Sequence, residues 1–416
     1  MKLIGPFRQL ITLDKLPLKG PIPDHKLEII QNAGILIEND IIKKTGDFNS
    51  IKNELGNRSY ELEQIKSDMV ALPGFIDCHT HICYAGTREK DYAKRVSGKS
   101  YLEIARQGGG IWDTVIKTRS ASIRELQKNT ERRARMLLKQ GITTAEVKSG
   151  YCLNVEGELK MLKAIRQANA NLAIDLIPTC LAAHMHPKDF KGSQKEYLEL
   201  IIKELFPVIK KEKLTSRVDI YVEEGAFSLS DAEIYLKKAK EQGFDVIIHA
   251  DQFSVGGSKL AVKFQARSAD HLEVSSGEEI CILAQSNVIP VVLPGASIGL
   301  GNDFAPARKM LDAGTSLAIS TDWNPGSAPM GDLLVQAAII GAFEKLTIAE
   351  TLSGITFRAA AALNLSDRGI LAQGKKADMV AFECNNYEEI LYHQGALKPS
   401  SVWKNGQLIR NLILSS

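Results

Sequence analysis

An α/β fold is predicted for the 416-residue chain: a (β/α)8 barrel of the TIM type carrying a small β-sandwich domain built from both chain ends. Three observations point to it. Eight short apolar runs alternate with amphipathic helical stretches between residues 72 and 364. The two ends of the chain share a hairpin texture. Polar, histidine-rich positions fall at the C-terminal ends of the apolar runs, the face on which such barrels carry their chemistry.

The ends come first. From residue 29 to 48, IIQNAGILIENDIIKKTGDF alternates β-rich runs with Gly and Asn-Asp turn signals. Near the C-terminus, GKKADMVAFE and SVWKNGQLIR repeat this pattern, the second with an Asn-Gly turn between its halves. Segments 1–71 and 365–416 are therefore expected to pair into one composite β-domain, leaving 72–364 for the barrel.

The eight runs are ALPGFIDCH, TTAEVKS, AIDLIPT, VDIYVEE, FDVIIHA, SADHLEV, NVIPVVL and SLAISTD. Between them stand helical stretches such as SIRELQKNTERRARMLLKQ and EGELKMLKAIRQANA, with apolar residues at helical spacing. An open doubly wound sheet could use eight strands too. It would carry G-x-G-x-x-G after the first strand, which this chain lacks.

Composition narrows the function classes. Hydrophobic residues make up 44% and charged residues 24%, enough apolar material for a substantial core. The net charge of +3 comes from 52 basic and 49 acidic residues mixed along the chain, so nothing marks a nucleic-acid or membrane partner. The opening MKLIGPFRQLITLDKLPLKG has no apolar core followed by a small-residue cleavage site, and no stretch approaches a membrane span. A cytoplasmic location is the expectation. Six cysteines, none in a C-x-x-C pair, read as reduced thiols.

His79 and His81 are separated by one residue, so on a strand both imidazoles point to the same side and can chelate one ion. Cys78 alternates with them and should point away; with Cys83 it reads as a packing residue. His249 and Asp322 end the fifth and eighth runs. Three neutral nitrogens and one carboxylate suit a borderline divalent cation, most naturally zinc, with iron or manganese as alternatives. Such an ion lowers the pKa of its water from roughly 9 toward about 7. Asp322 can both hold the metal and take the water's proton, while His271, ending the sixth run, can polarise a carbonyl or pass a proton.

The segment PGFIDCHTHICYAGTREKDYAKRVSGKSYLEIARQGGGIWDTVIKTRSAS, residues 73 to 122, resembles the first barrel strand and following loops of the imidazolonepropionases. P-G-x-x-D-x-H-x-H alone marks only the wider amidohydrolase superfamily. The finer resemblance runs through T-R-E, G-K-S-Y-x-E-I and G-G-G-I, then VKSGYCL, AAHMHP, HADQF, SADHLE and STDWNPGSAP, over essentially the whole chain. It implies one divalent metal on His79, His81, His249 and Asp322. It also implies substrate contacts at Arg88, Tyr151, His184, Gln252, Asn324, Gly326 and Ser327, and hydrolysis of 4-imidazolone-5-propanoate in histidine degradation. Arg88 would grip the substrate's carboxylate tail. A small-molecule partner follows, and the resemblance leaves a homodimer open.

Other positions test the resemblance. Gln252 is an amide and cannot act as a base, which leaves that work to His271 or Asp322. Lys148 ends the second run, whereas the carbamylated lysine of two-metal relatives follows the fourth; one metal and a Lys148 paired with Glu146 or another acid are expected. His25, His186 and His393 read as solvated or structural. The run Gly108 to Gly110 reads as a mobile loop over the pocket, not a phosphate cradle, since no Walker lysine follows. Two rivals remain. A heterocycle deaminase or another cyclic-amide hydrolase would use the same ligands, but deaminases carry glutamate where Gln252 stands. A non-catalytic barrel would be expected to have lost ligands, and all four are present.

Overall fold

The computed structural model describes residues 1–99, 103–104 and 107–409. Residues 100–102, inside the G-K-S-Y-x-E-I segment, and 410–416, at the end of the terminal β-domain, lie outside the described residues.

The N-terminal strands are β1 (Lys2–Ile11), β2 (Ile29–Glu38), β3 (Ile41–Asp47), β4 (Glu61–Gln64) and β5 (Met69–Pro73). The barrel strands follow as β6 (Phe75–Asp77), β7 (Ile142–Lys148), β8 (Asp175–Ala183), β9 (Arg217–Tyr221), β10 (Asp245–Ala250), β11 (Ser268–His271), β12 (Ile289–Val292) and β13 (Ala318–Ile319). The chain closes with β14 (Met379–Glu383), β15 (Ser401–Lys404) and β16 (Gln407–Leu408).

Each of the eight predicted runs overlaps a barrel strand, and the strands pair in parallel in chain order from β6 to β13. Polar groups bring the first and last strands together. Thr80 bridges Trp323 in parallel, and the Asp322 N–H donates to the His79 carbonyl at 3.1 Å. The buried Asp77 carboxylate accepts from the Ser320 hydroxyl, from the Thr321 hydroxyl at 2.6 Å and from the Thr321 N–H at 3.1 Å. Burial pushes its pKa up to about 6, with these donors opposing the shift. This seam places His79 and His81 directly beside Asp322.

The helices start where the sequence offers caps. The Ser122 hydroxyl accepts the Glu125 N–H ahead of Ile123–Lys139, and the Asn154 side chain accepts the Gly157 N–H ahead of Val155–Ala170. Their buried faces, Leu126, Ala134 and Leu137 on one and Met161, Leu162 and Ile165 on the other, join the main core around the barrel.

The two chain ends meet in one continuous mixed sheet of order β16-β15-β14-β5-β1-β2-β3, with β4 beside β1. The decisive contact is antiparallel β5–β14, in register from Met379 opposite Pro73 to Glu383 opposite Met69. Asn39-Asp40 and Asn405-Gly406 turn the two expected hairpins, all four residues at positive φ, which these residue types tolerate best. Since β5 continues through Gly74 into β6, the terminal sheet is anchored to the barrel strand that leads into His79 and His81. No helix among the described residues is long and apolar enough to cross a membrane.

Candidate active site

Five of the eight histidines converge at the barrel mouth: His79, His81, His184, His249 and His271, all buried. His79 Nε2 faces His81 Nε2 at 3.2 Å. Asp322 Oδ1 lies 3.3 Å from His81 Nε2 and 3.6 Å from His79 Nε2. The His249 ring centroid is 4.6 Å from that of His79. Two overlapping groups, His79 with His81 and Asp322, and His79 with His249 and His271, bring their donor atoms close enough to hold a metal ion.

A cation fits these donors. His79 Nδ1 pairs with Asp270 Oδ2 at 2.6 Å, and His249 Nδ1 with Asp219 Oδ1 at 3.1 Å. A carboxylate at Nδ1 keeps the proton there, so Nε2 presents its lone pair inward. Burial drives the pKa of His79 well below the ordinary imidazole value and that of His249 down to about 4, so both rings are neutral. The buried His249 Nε2 has no hydrogen-bond partner among the described residues. Ring nitrogens that converge in this way, one of them unpartnered, are what a divalent ion would satisfy.

The carboxylates behind the rings rest on Lys148. Its ammonium is fully buried, 2.7 Å from Glu146 Oε2 and 2.8 Å from Asp219 Oδ2. Against the cost of burial, His249 and Lys148 hold Asp219 well below the usual carboxylate range. His271 behaves differently from the other rings. Burial would lower its pKa, but Glu273, whose carboxylate lies 3.3 Å from His271 Nδ1, together with Asp322 and Asp270 outweighs it and raises the value. Of these rings, His271 is the one whose acidic neighbours favour its protonated form.

The backbone is strained at this mouth. Asp251, His271, Leu272 and Asp322 follow or end barrel strands, and all have positive φ, between 51° and 86°. Such residues cost about 1–3 kcal/mol each and persist where the surroundings impose them.

Further polar groups surround the histidines. Arg88 Nε donates to Asp91 Oδ2 at 2.9 Å, and that same oxygen accepts the Gly110 N–H at 2.8 Å. The glycine run is thus tied to Arg88. The Asn324 amide nitrogen donates to Asp322 Oδ2 and Ser327 Oγ, both at 2.9 Å, while its oxygen accepts the Gly326 and Ser327 N–H groups. His184 stacks on His81 with centroids 5.3 Å apart, and Tyr151 lies 5.4 Å from His184. The Gln252 oxygen accepts from the Tyr221 hydroxyl at 2.6 Å. Every candidate residue named from the sequence is brought to this mouth. His25 and His393 are exposed on the terminal segments, and Cys78 packs in a separate apolar cluster with Ile76 and Val291.

Sequence reasoning missed the residues behind this front. Asp219 and Asp270 sit inside apolar strands, and an acid in such a run was the available signal. Glu158 is fully buried and accepts the Gly150, Cys152 and Leu153 N–H groups, clamping the loop that carries Tyr151. The Gly150 carbonyl in turn receives His184 Nδ1 at 3.0 Å. Glu158 was legible only as a helical acid.

Glycine at 326 is a steric requirement. A Cβ there would fall 2.3 Å from Arg88 Nη1. Gly326→Ala is expected to displace the guanidinium and cost about 10- to 100-fold in kcat/KM with little change in thermal unfolding. Steady-state kinetics beside a melting curve check this.

A family model for the amidohydrolase family matches residues 70–409. The chain belongs to the amidohydrolase family. Among its relatives within that family, the imidazolonepropionase of Bacillus cereus strain G9842 is 40% identical over 96% of this chain and 94% of its own. That of Bacillus mycoides strain KBAB4 is 39% identical over the same shares. This amidohydrolase also shares its fold with two solved structures. Escherichia coli guanine deaminase superposes with TM-score 0.75 at 15% identity, covering 98% of this chain and 99% of its own. A zinc complex of atrazine chlorohydrolase TrzN from Arthrobacter aurescens TC1 gives 0.71 at 18% identity, covering 100% and 97%.

Proposed function

We propose that this amidohydrolase hydrolyses 4-imidazolone-5-propanoate to N-formimidoyl-L-glutamate. The observation that carries the reading is the pairing of full-length similarity to imidazolonepropionases with a mouth whose donors fit one divalent ion. His79, His81, His249 and Asp322 would hold that ion, zinc first and iron second; a zinc-bound fold relative supports the first choice. When bound, the ion supplies Lewis acidity and a lower water pKa.

The chain's own groups do the rest. Asp322 accepts the proton of the attacking water as its oxygen joins the ring carbonyl carbon. His271, favoured as a cation by Glu273, hands a proton to the ring nitrogen as the C–N bond breaks. Arg88 receives the propanoate carboxylate. Tyr151 and His184 flank the ring, and the Asn324–Ser327 turn reads its polar edge. Gln252, its oxygen engaged by Tyr221, presents N–H groups and takes no proton. A deaminase reading would need a carboxyl at that position. The partner is the small-molecule substrate, and the cytoplasm is the setting we infer.

The test is the rate at which purified protein consumes freshly generated 4-imidazolone-5-propanoate, before and after metal stripping and zinc restoration. Fast conversion to formimidoylglutamate, lost on stripping and regained with zinc, is the expected result. No conversion by fully metallated protein would reject the substrate and redirect the search to other cyclic amides and aminated heterocycles.

A further inference from the structure

We propose that Lys148 is a positioning residue that keeps the two inward-facing imidazoles of His79 and His249 aimed at one point, by gathering the carboxylates behind them. This rests on the reading of His79 and His249 as metal ligands.

The contacts form one unbroken path through the barrel interior. His79 Nδ1 meets Asp270 Oδ2 at 2.6 Å, and that oxygen lies 3.8 Å from Lys148 Nζ. Lys148 Nζ then meets Asp219 Oδ2 at 2.8 Å, and the other oxygen of Asp219 meets His249 Nδ1 at 3.1 Å. Glu146, two residues before Lys148 and therefore on the same inward face of β7, fills a third side of the ammonium at 2.7 Å. The side chains of Glu146, Lys148 and Asp219 are completely excluded from solvent.

Strand geometry explains why one lysine does this. Lys148 ends the second barrel strand, Asp219 lies on the fourth and Asp270 on the sixth. The long side chain crosses the interior, where alternate strands share a layer, and reaches the acids that meet the Nδ1 atoms of His249 and His79. Removing its charge would leave three buried carboxylates facing one another. Without the shared ammonium, Asp219 and Asp270 would lose the contact that holds them at the Nδ1 atoms, and each ring would lose what fixes its tautomer and angle. Arg217, 3.5 Å from Glu146 Oε1, compensates that acid but not the pair behind the histidines. A lysine that served only to fill the core would have no bearing on the ion at the mouth, which is what separates the two roles.

The experiment compares Lys148→Met, which has neither charge nor donor, with Lys148→Gln, which keeps a donor, and with His249→Asn as a ligand control. Zinc affinity is read by chelator competition, and ligand geometry by the visible absorption of the cobalt(II)-substituted proteins. Lys148→Met is expected to bind zinc about 10- to 100-fold more weakly, with an altered cobalt spectrum, and Lys148→Gln to fall between it and wild type. Wild-type zinc affinity and cobalt spectrum in Lys148→Met, alongside loss of metal in His249→Asn, would overturn the role of Lys148. So would failure of both Lys148 variants to fold whether or not zinc is present, since that assigns the lysine to barrel stability alone. Undiminished zinc binding by His249→Asn would instead reject the ligand reading.

Discussion

Asp322→Ala is expected to reduce turnover by about 10⁴-fold even in metal-replete protein, because two functions leave with one carboxylate. Its Oδ1 sits 3.3 Å from His81 Nε2 and 3.6 Å from His79 Nε2, on the side of the rings where the proposed ion and its water would sit. Asn324 holds the other oxygen at 2.9 Å, so the carboxylate has one orientation. His81 and other histidines hold its pKa below the usual carboxylate value despite burial, which keeps it ionised at neutral pH. Asp322→Asn separates the two functions. An amide oxygen can still approach the metal but cannot take the water's proton, so Asp322→Asn should retain more zinc than Asp322→Ala while remaining nearly as slow. Metal analysis and single-turnover rates on both variants decide the matter. A near-normal rate in zinc-loaded Asp322→Ala would sink the proposed mechanism.

The parts of this site that could be read from the sequence share a physical property: they are set by local spacing. His79 and His81 face one way because a strand repeats every two residues, and the eight apolar runs announce themselves by alternation with helices capped at Ser122 and Asn154. The Asn-Gly hairpin is legible for the same reason, since its backbone conformation selects its residues. What escaped notice is set by contacts between distant segments. Asp270 supports His79 across 191 positions and Asp219 supports His249 across 30, and nothing in SADHLEV or VDIYVEE says which ring the acid will meet. Glu158 looks like any acid in the first turn of a helix until the loop before it folds back and gives it three N–H donors. Lys148 was correctly expected to pair with an acid, but its bridging position exists only once the barrel closes.

Arg88→Ala should show the complementary pattern, a fall of about 10²- to 10³-fold in kcat/KM carried mostly by KM, with zinc content unchanged. The guanidinium side chain is only 8% exposed, and its Nε is committed to Asp91. That bond leaves the outer Nη edge as the part available to a ligand, and Gly326 lies directly against it. A planar fork fixed in this way matches a carboxylate in two parallel bonds, which a lysine cannot reproduce, so Arg88→Lys should recover little. The attribution to the propanoate tail can be isolated with a substrate analogue whose tail is amidated. Wild type should lose most of its kcat/KM advantage on the analogue, whereas Arg88→Ala should treat acid and amide alike, giving a large interaction energy in the cycle. If both proteins discriminate equally between acid and amide, the tail is read elsewhere, and Arg88 serves through Asp91 to hold Gly110 and its loop in place.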